Sequence, residues 1–174
     1  YEDLLFVTDA AVNIFPDLDA KRDIVQNAID LHHALGLGDP RVAILSAVET
    51  VNARIPGTVD AAGLCKMADR GQIMGAVLDG PLAMDNAINP DAARVKGIVS
   101  PVAGRAQILV APDLEAGNIL AKTLIFMGGA ESAGIVLGTG VPVMLSSRAD
   151  SAQARLASLA VGALYEHDRM ETRA

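Results

Sequence analysis

The chain has 174 residues, a formal net charge of −7, 51% hydrophobic and only 3% aromatic residues, and no Trp. That length allows one domain or one and a half. The acidic balance and the lack of any Lys/Arg-rich run argue against a nucleic-acid partner. Every apolar run breaks well short of the roughly 20 residues a transmembrane helix needs.

The opening YEDLLFVTDA is acidic rather than basic, so no signal peptide is read there. Leu4–Thr8 is a short apolar strand. Asp19 to Leu35 has helical spacing, with Ile24, Ala28, Leu31 and Leu35 on one face and Gly36 as the stop. The unbroken run Arg41–Val48 predicts a fully buried strand. Thr58 to Arg70 is helical and ends at Gly71. Ile73–Leu78 is a further buried strand, closed by a turn at Asp79-Gly80-Pro81. Short helical pieces follow at Leu82–Ile88 and Pro90–Lys96. Gln107–Val110 is a strand and Glu115–Phe126 a helix. Ala133–Leu137 and Val141–Leu145 are strands, the latter buried, and Ala152–Glu166 is the last helix. Strands spaced by helices of this length predict a mainly parallel α/β sheet with right-handed crossovers.

In such a sheet ligands bind beyond the carboxyl ends of the strands. Polar residues gather after several of them: Glu49 and Thr50, then Asp79 and Asp85, then Asp113, Glu115, Asn118 and Lys122, then Ser146, Ser147, Arg148 and Asp150. A parallel sheet would set all of these on one edge, lining one cleft. The last group is the most suggestive. Arg148 offers a planar fork suited to phosphate, Ser147 a hydroxyl donor, and Asp150 a carboxylate base. The same residues also read as a helix start, with Asp150 or Ser151 as cap and Arg148 solvated. Asn118 and Lys122 fall four apart on one helical face; Lys122 also reads as a solvated lysine. Gly117 within that helix signals a close approach to the backbone.

Cys65 stands alone, so one chain forms no disulfide. It reads as a small buried hydrophobe, since only Lys66 lies near enough in sequence to activate it. His32 and His33 end a helix, where the dipole favours them. With His167 they show no metal-ligand spacing, so no metal is expected. Neither GxGxxG, GxxxxGK[ST] nor GxSxG occurs, which disfavours dinucleotide, P-loop and α/β-hydrolase chemistry. The lone cysteine suggests a reducing, cytoplasmic setting.

Taken in order, TDAAVNIFPDLDAKRDI, RVAILSAVE, MADRGQIMGAVLDGPLAMDNAI, PDLEAGNILAK and VPVMLSSRADS resemble the phosphate acetyltransferase and phosphate butyryltransferase family. SRADS looks more like the butyryl-type branch. The resemblance implies an isopropylmalate-dehydrogenase-like fold: three-layer α/β/α, a mainly parallel sheet, and two domains only partly covered here. Residues 1–132 would form the second α/β domain, and residues 133–174 would return to the first, most of which, with its substrate-binding arginines, would lie outside this chain. Some relatives of this kind are fused to an enoyl-CoA hydratase-like domain.

The implied reaction is acyl-CoA + Pi ⇌ acyl phosphate + CoA, with no metal and no tightly bound cofactor; CoA is a substrate. The resemblance implies that Ser147 holds the carbonyl oxygen and that Arg148 holds the phosphate. Acetyl-type enzymes carry an aspartate seven residues beyond the serine. Here that position is Ala154, and Asp150 is the nearest substitute as base. Asp85, Asn118 and Lys122 also match family positions, as cleft-lining or substrate-binding residues. The resemblance further implies at least a homodimer. Two other readings stay open: a non-catalytic binding or assembly module of a fused protein, and a dehydrogenase on the same scaffold.

Overall fold

The structure is a computed structural model and describes residues 4–173; Tyr1, Glu2 and Asp3 of the acidic opening lie outside the described residues. Four strands form a parallel sheet in the order β1-β4-β2-β3: β1 (Phe6–Thr8), β2 (Arg41–Leu45), β3 (Val77–Leu82) and β4 (Ile108–Val110). β4 lies between β1 and β2, with Phe6 beside Ile108 and Val42 beside the same residue on the other side.

Helices cover both faces, because the strands carry apolar side chains on both. One face packs Val42, Ile44, Ile108 and Val110 against α1 (Leu18–Ala34) and α2 (Pro56–Asp69), through Val25, Ala28, Ile29, Ala61 and Leu64. The other packs Ala43, Leu45, Leu82 and Leu109 against α3 (Met84–Ile88), α4 (Pro90–Val95) and α5 (Leu114–Phe126). The mainly parallel α/β architecture read from the sequence is therefore present.

The helix ends follow local chemistry. Asp17 caps α1 by accepting from the Ala20 N–H at 2.9 Å, and Asp113 caps α5 by accepting from Ala116 at 2.9 Å. Gly36 and Gly71 take positive φ just past α1 and α2. The buried stripe of α1 is Lys21, Val25, Ala28, Ile29 and His32, with Leu31 beside it, rather than one through Ile24 and Leu35. Lys21 reaches Asp60 of α2 at 2.7 Å, which lets a lysine sit almost wholly buried.

Several expectations are corrected. β3 runs Val77–Leu82, not Ile73–Leu78, so Asp79-Gly80-Pro81 lies within a strand and is no turn. Gly75 at φ +80° breaks the run before it. A Cβ on Gly80 would meet Ile44 Cβ at 2.8 Å, so this glycine permits close strand packing. Pro81 is tolerated because β3 is an edge strand in this sheet.

The predicted buried strand Val141–Leu145 is only β6 (Val143–Met144), and its residues are 41% and 43% exposed. It pairs antiparallel with β5 (Ile135–Val136) in a separate two-stranded sheet. Among the described residues α6 (Ala152–Arg173) packs against it, with Met144 beside Gly162. That helix runs beyond the predicted end at Glu166.

Consequently the strand ends do not all share one edge. The loop after β6 belongs to the small sheet, not to the four-stranded one.

Candidate functional site

Around the end of β6 the chain turns sharply into α6. The Ser147 N–H donates to Asp150 Oδ2 at 2.6 Å, and the Asp150 N–H donates to the Ser147 carbonyl at 3.1 Å. The Ala149 N–H reaches Ser147 Oγ at 3.3 Å, while Ser151 caps α6 through the Ala154 N–H at 3.1 Å. The helix-start reading holds here, with Ser151 as the cap and Arg148 solvated, and Asp150 closes the turn on which Ser147 and Arg148 sit. Arg148 is exposed and has no hydrogen-bond or ion-pair partner among the described residues. A free guanidinium beside a hydroxyl, at a helix amino end, is an anion-binding chemistry.

The carboxyl edge of the four-stranded sheet carries a second polar group. Asp85, at the start of α3, meets Lys96 Nζ at 2.9 Å, and the same Nζ meets Glu49 Oε1 at 2.7 Å. Asn86 is fully buried and donates to Glu49 Oε1 at 2.5 Å. The Lys96 hydrogen bonds hold the Glu49 and Asp85 carboxyls below their usual range, and both carboxylates push Lys96 above its own. Asp85 is thus already charge-paired. Neither Lys96 nor Asn86 stood out in the sequence, because Lys96 is 47 residues from Glu49 and 11 from Asp85.

At the other side of that edge, Asp9 follows β1 and gathers four donors: the Ala11, Val12 and Asn13 N–H groups and the Asn13 side-chain amide, at 2.7–2.9 Å. Burial works against its charge, but these bonds together carry its carboxyl below the usual range. Asn118 does not turn freely into a cleft: its Nδ2 donates to the Ala10 carbonyl at 3.0 Å. The close approach signalled by Gly117 is the Asp9 carbonyl, which a Cβ there would strike. Asp9 could have been found from TDAAVN, since an Asp that precedes small residues and an Asn favours capping its own following amides. Lys122 is exposed and unpartnered among the described residues.

Asp85, Asn118 and Lys122 thus belong to the large sheet, and Ser147, Arg148 and Asp150 to the small one. No hydrogen bond or ion pair joins the two sets among the described residues.

Burial pushes the Cys65 thiol up to about 12, and its Sγ lies 3.8 Å from the Gly80 carbonyl; it is no nucleophile at neutral pH. Among the described residues no three His, Cys, Asp or Glu side chains come together to hold a metal, and no helix is long and apolar enough to cross a membrane.

Comparison with known proteins places the chain in a family. The family model described as phosphate acetyl/butaryl transferase matches residues 1–163. A phosphate acetyltransferase of Rhizobium meliloti is 72% identical over 95% of this chain and 52% of its own length. A phosphate butyryltransferase of Clostridium acetobutylicum is 48% identical over 94% of this chain and 54% of its own. The crystal structure of a branched-chain phosphotransacylase from Enterococcus faecalis superposes with a TM-score of 0.82 at 37% identity, covering 91% of this chain and 58% of that one. The chain spans about half the length of the curated relatives it matches. With its motifs and most of its length inside that family model, the chain belongs to the phosphate acetyl/butyryl transferase family.

Proposed function

We propose that the polypeptide carrying this chain catalyses reversible transfer of a short acyl group between CoA and inorganic phosphate. The observation that carries this reading, beside family membership, is the turn at Ser147–Ser151. It offers an unpaired guanidinium and a hydroxyl at the amino end of α6, on a main chain held by Asp150.

In the direction from acyl phosphate, the CoA sulfur must attack as thiolate. It adds to the acyl carbonyl, negative charge builds on the carbonyl oxygen, and phosphate departs as the carbonyl re-forms. Arg148 holds the phosphate dianion with two parallel hydrogen bonds. Ser147 donates its hydroxyl to the developing oxyanion. Asp150 takes the thiol proton and returns it to the departing phosphate oxygen, so that phosphate leaves as the dianion. Its bond to the Ser147 N–H gives it a second task, fixing the turn on which the donor sits. Of the proposed substrate-binding residues Asp85, Asn118 and Lys122, Asp85 is paired with Lys96 and Asn118 with the Ala10 carbonyl, so Lys122 has the free charge to meet a CoA phosphate. No metal or tightly bound cofactor enters this scheme.

The same reading assigns the chain to a two-domain fold like that of isopropylmalate dehydrogenase. The four-stranded sheet with its helices, residues 1–132, is one domain. Residues 133–174, with a two-stranded sheet left open on one side, belong to the other. We also place the enzyme in the cytoplasm as a homodimer or larger homo-oligomer, with acyl-CoA and phosphate as its partners.

The test is phosphate-dependent release of free thiol from acetyl-CoA and butyryl-CoA, by the longest natural polypeptide containing this chain. Release that requires phosphate supports the proposal, and the faster substrate names the branch. A folded protein that releases no thiol from either overturns it.

A further inference from the structure

The loop between β1 and α1 exposes Val12, Ile14 and Phe15, with Phe15 79% accessible. Exposed apolar side chains usually collapse onto a neighbouring surface, since that removes apolar area from water. This loop is not free to do so. Asp9 holds three successive amides and the Asn13 side chain, the Leu114 N–H donates to the Ile14 carbonyl at 3.2 Å, and Asn118 holds the Ala10 carbonyl. Asn13 turns inward to Asp9, which sends its neighbours Val12 and Ile14 outward. The backbone is therefore locked in a form that keeps three apolar groups in water, as expected of a binding surface.

Its position narrows the occupant. Ile14 is bonded to the first residue of α5, directly after β4. β1 and β4 are hydrogen-bonded neighbours whose following helices, α1 and α5, leave to opposite faces, so their carboxyl ends open a crevice of the kind in which doubly wound sheets bind ligands. Val12, Ile14 and Phe15 stand at the rim of that crevice. A second copy of the chain is the weaker occupant: the three side chains offer roughly 300 Å² between them, against about 800 Å² per partner in a stable interface. A short acyl chain is of the right size.

We infer that Val12, Ile14 and Phe15 form the apolar wall that contacts the acyl end of acyl-CoA and sets chain-length preference. This rests on the proposed acyl transfer. The chemistry is apolar contact alone, with the polar atoms of the loop turned inward to Asp9.

Two measurements on the longest natural polypeptide test it. In the first, kcat/KM for butyryl-CoA relative to acetyl-CoA is compared between wild type and Phe15→Ala. An apolar contact to two additional methylenes shifts this ratio about tenfold or more toward acetyl-CoA. Val99→Ala, a fully exposed position after α4, leaves the ratio unchanged. In the second, Phe15→Trp adds an indole to a chain with no Trp, and its difference emission against wild type is followed during titration. Butyryl-CoA gives a saturable change larger than CoA does.

A ratio within twofold of wild type, or an equal response to CoA and butyryl-CoA, overturns the inference. An unchanged ratio with a dissociated oligomer reassigns the loop to an interface between copies. If wild type turns over neither thioester but Phe15→Trp still discriminates butyryl-CoA from CoA, the acyl-transfer reading falls and the acyl wall stands.

Discussion

Arg148 is exposed, and its neighbours are held without it, so its removal separates chemistry from folding. Arg148→Ala in the longest polypeptide is expected to raise KM for phosphate or lower turnover by about 100-fold, as loss of a transition-state donor does, with an unchanged circular dichroism spectrum. Unchanged kinetics would remove Arg148 from the site. Asp150→Asn keeps an oxygen for the Ser147 N–H but loses the base; full activity there would move the proton acceptor elsewhere. Cys65→Ser is expected to be active, because a thiol raised to about 12 is essentially all protonated at pH 7. Lys96→Met tests the charge cluster through pH. Glu49 and Asp85 titrate lower in the folded protein than when unfolded, so the stability they add is present above their unfolded values and is lost as pH falls through the folded ones. Both groups are largely solvated, so the variant should melt about 1–3 °C lower at pH 7, with a smaller difference at pH 3. An equal difference at both pH values would show that the loss is in packing and not in charge. The turn at Ser147–Ser151 was legible in sequence because every bond in it spans four residues or fewer. The state of Asp85 was not, since its lysine and the second carboxylate come from different elements.

Gly117 couples α5 to the loop after β1, and here sequence and structure agree at the level of a whole element. A glycine inside a helical pattern costs about 1 kcal/mol relative to alanine unless something approaches it. The Asp9 carbonyl does. Gly117→Ala is expected to destabilise the protein by about 2 kcal/mol or more in urea unfolding, since neither backbone can give way easily. A stabilised variant would mean that the contact relaxes freely. Helix boundaries were legible to within two residues wherever a cap or a terminal glycine marked them, as at Asp17, Asp113, Gly36 and Gly71. β3 was misread because Asp-Gly-Pro is usually turn chemistry. Its strand assignment depends on Ile44 across the sheet and on being at an edge, neither of which is visible in a local window.

On the scale of the molecule, apolar side chains from Phe126 to Met170 stay in water: Phe126, Met127, Val141, Leu156 and Leu159 among them. The residues 1–174 alone are therefore expected to bind a hydrophobic dye more strongly than the longest polypeptide and to show no acyl transfer. Equal dye binding and equal activity would show that residues 1–174 are sufficient. The apolar run 141–145 reads as a buried strand, but it is exposed along most of its length, because a local run of apolar residues does not say what, if anything, covers it. The strand order has a consequence in time as well. β1 touches only β4 within the sheet, and β4 is synthesised about a hundred residues later. At roughly 5–20 residues per second, β1 waits about 5–20 s on the ribosome for its one hydrogen-bonded neighbour. The Asp9 loop, whose far side leans on α5, waits longer still. Within the four-stranded sheet, β1 precedes its neighbours in the chain yet is seated only with β4, and a nascent chain stalled before Ile108 presents it to proteases and chaperones rather than to a sheet.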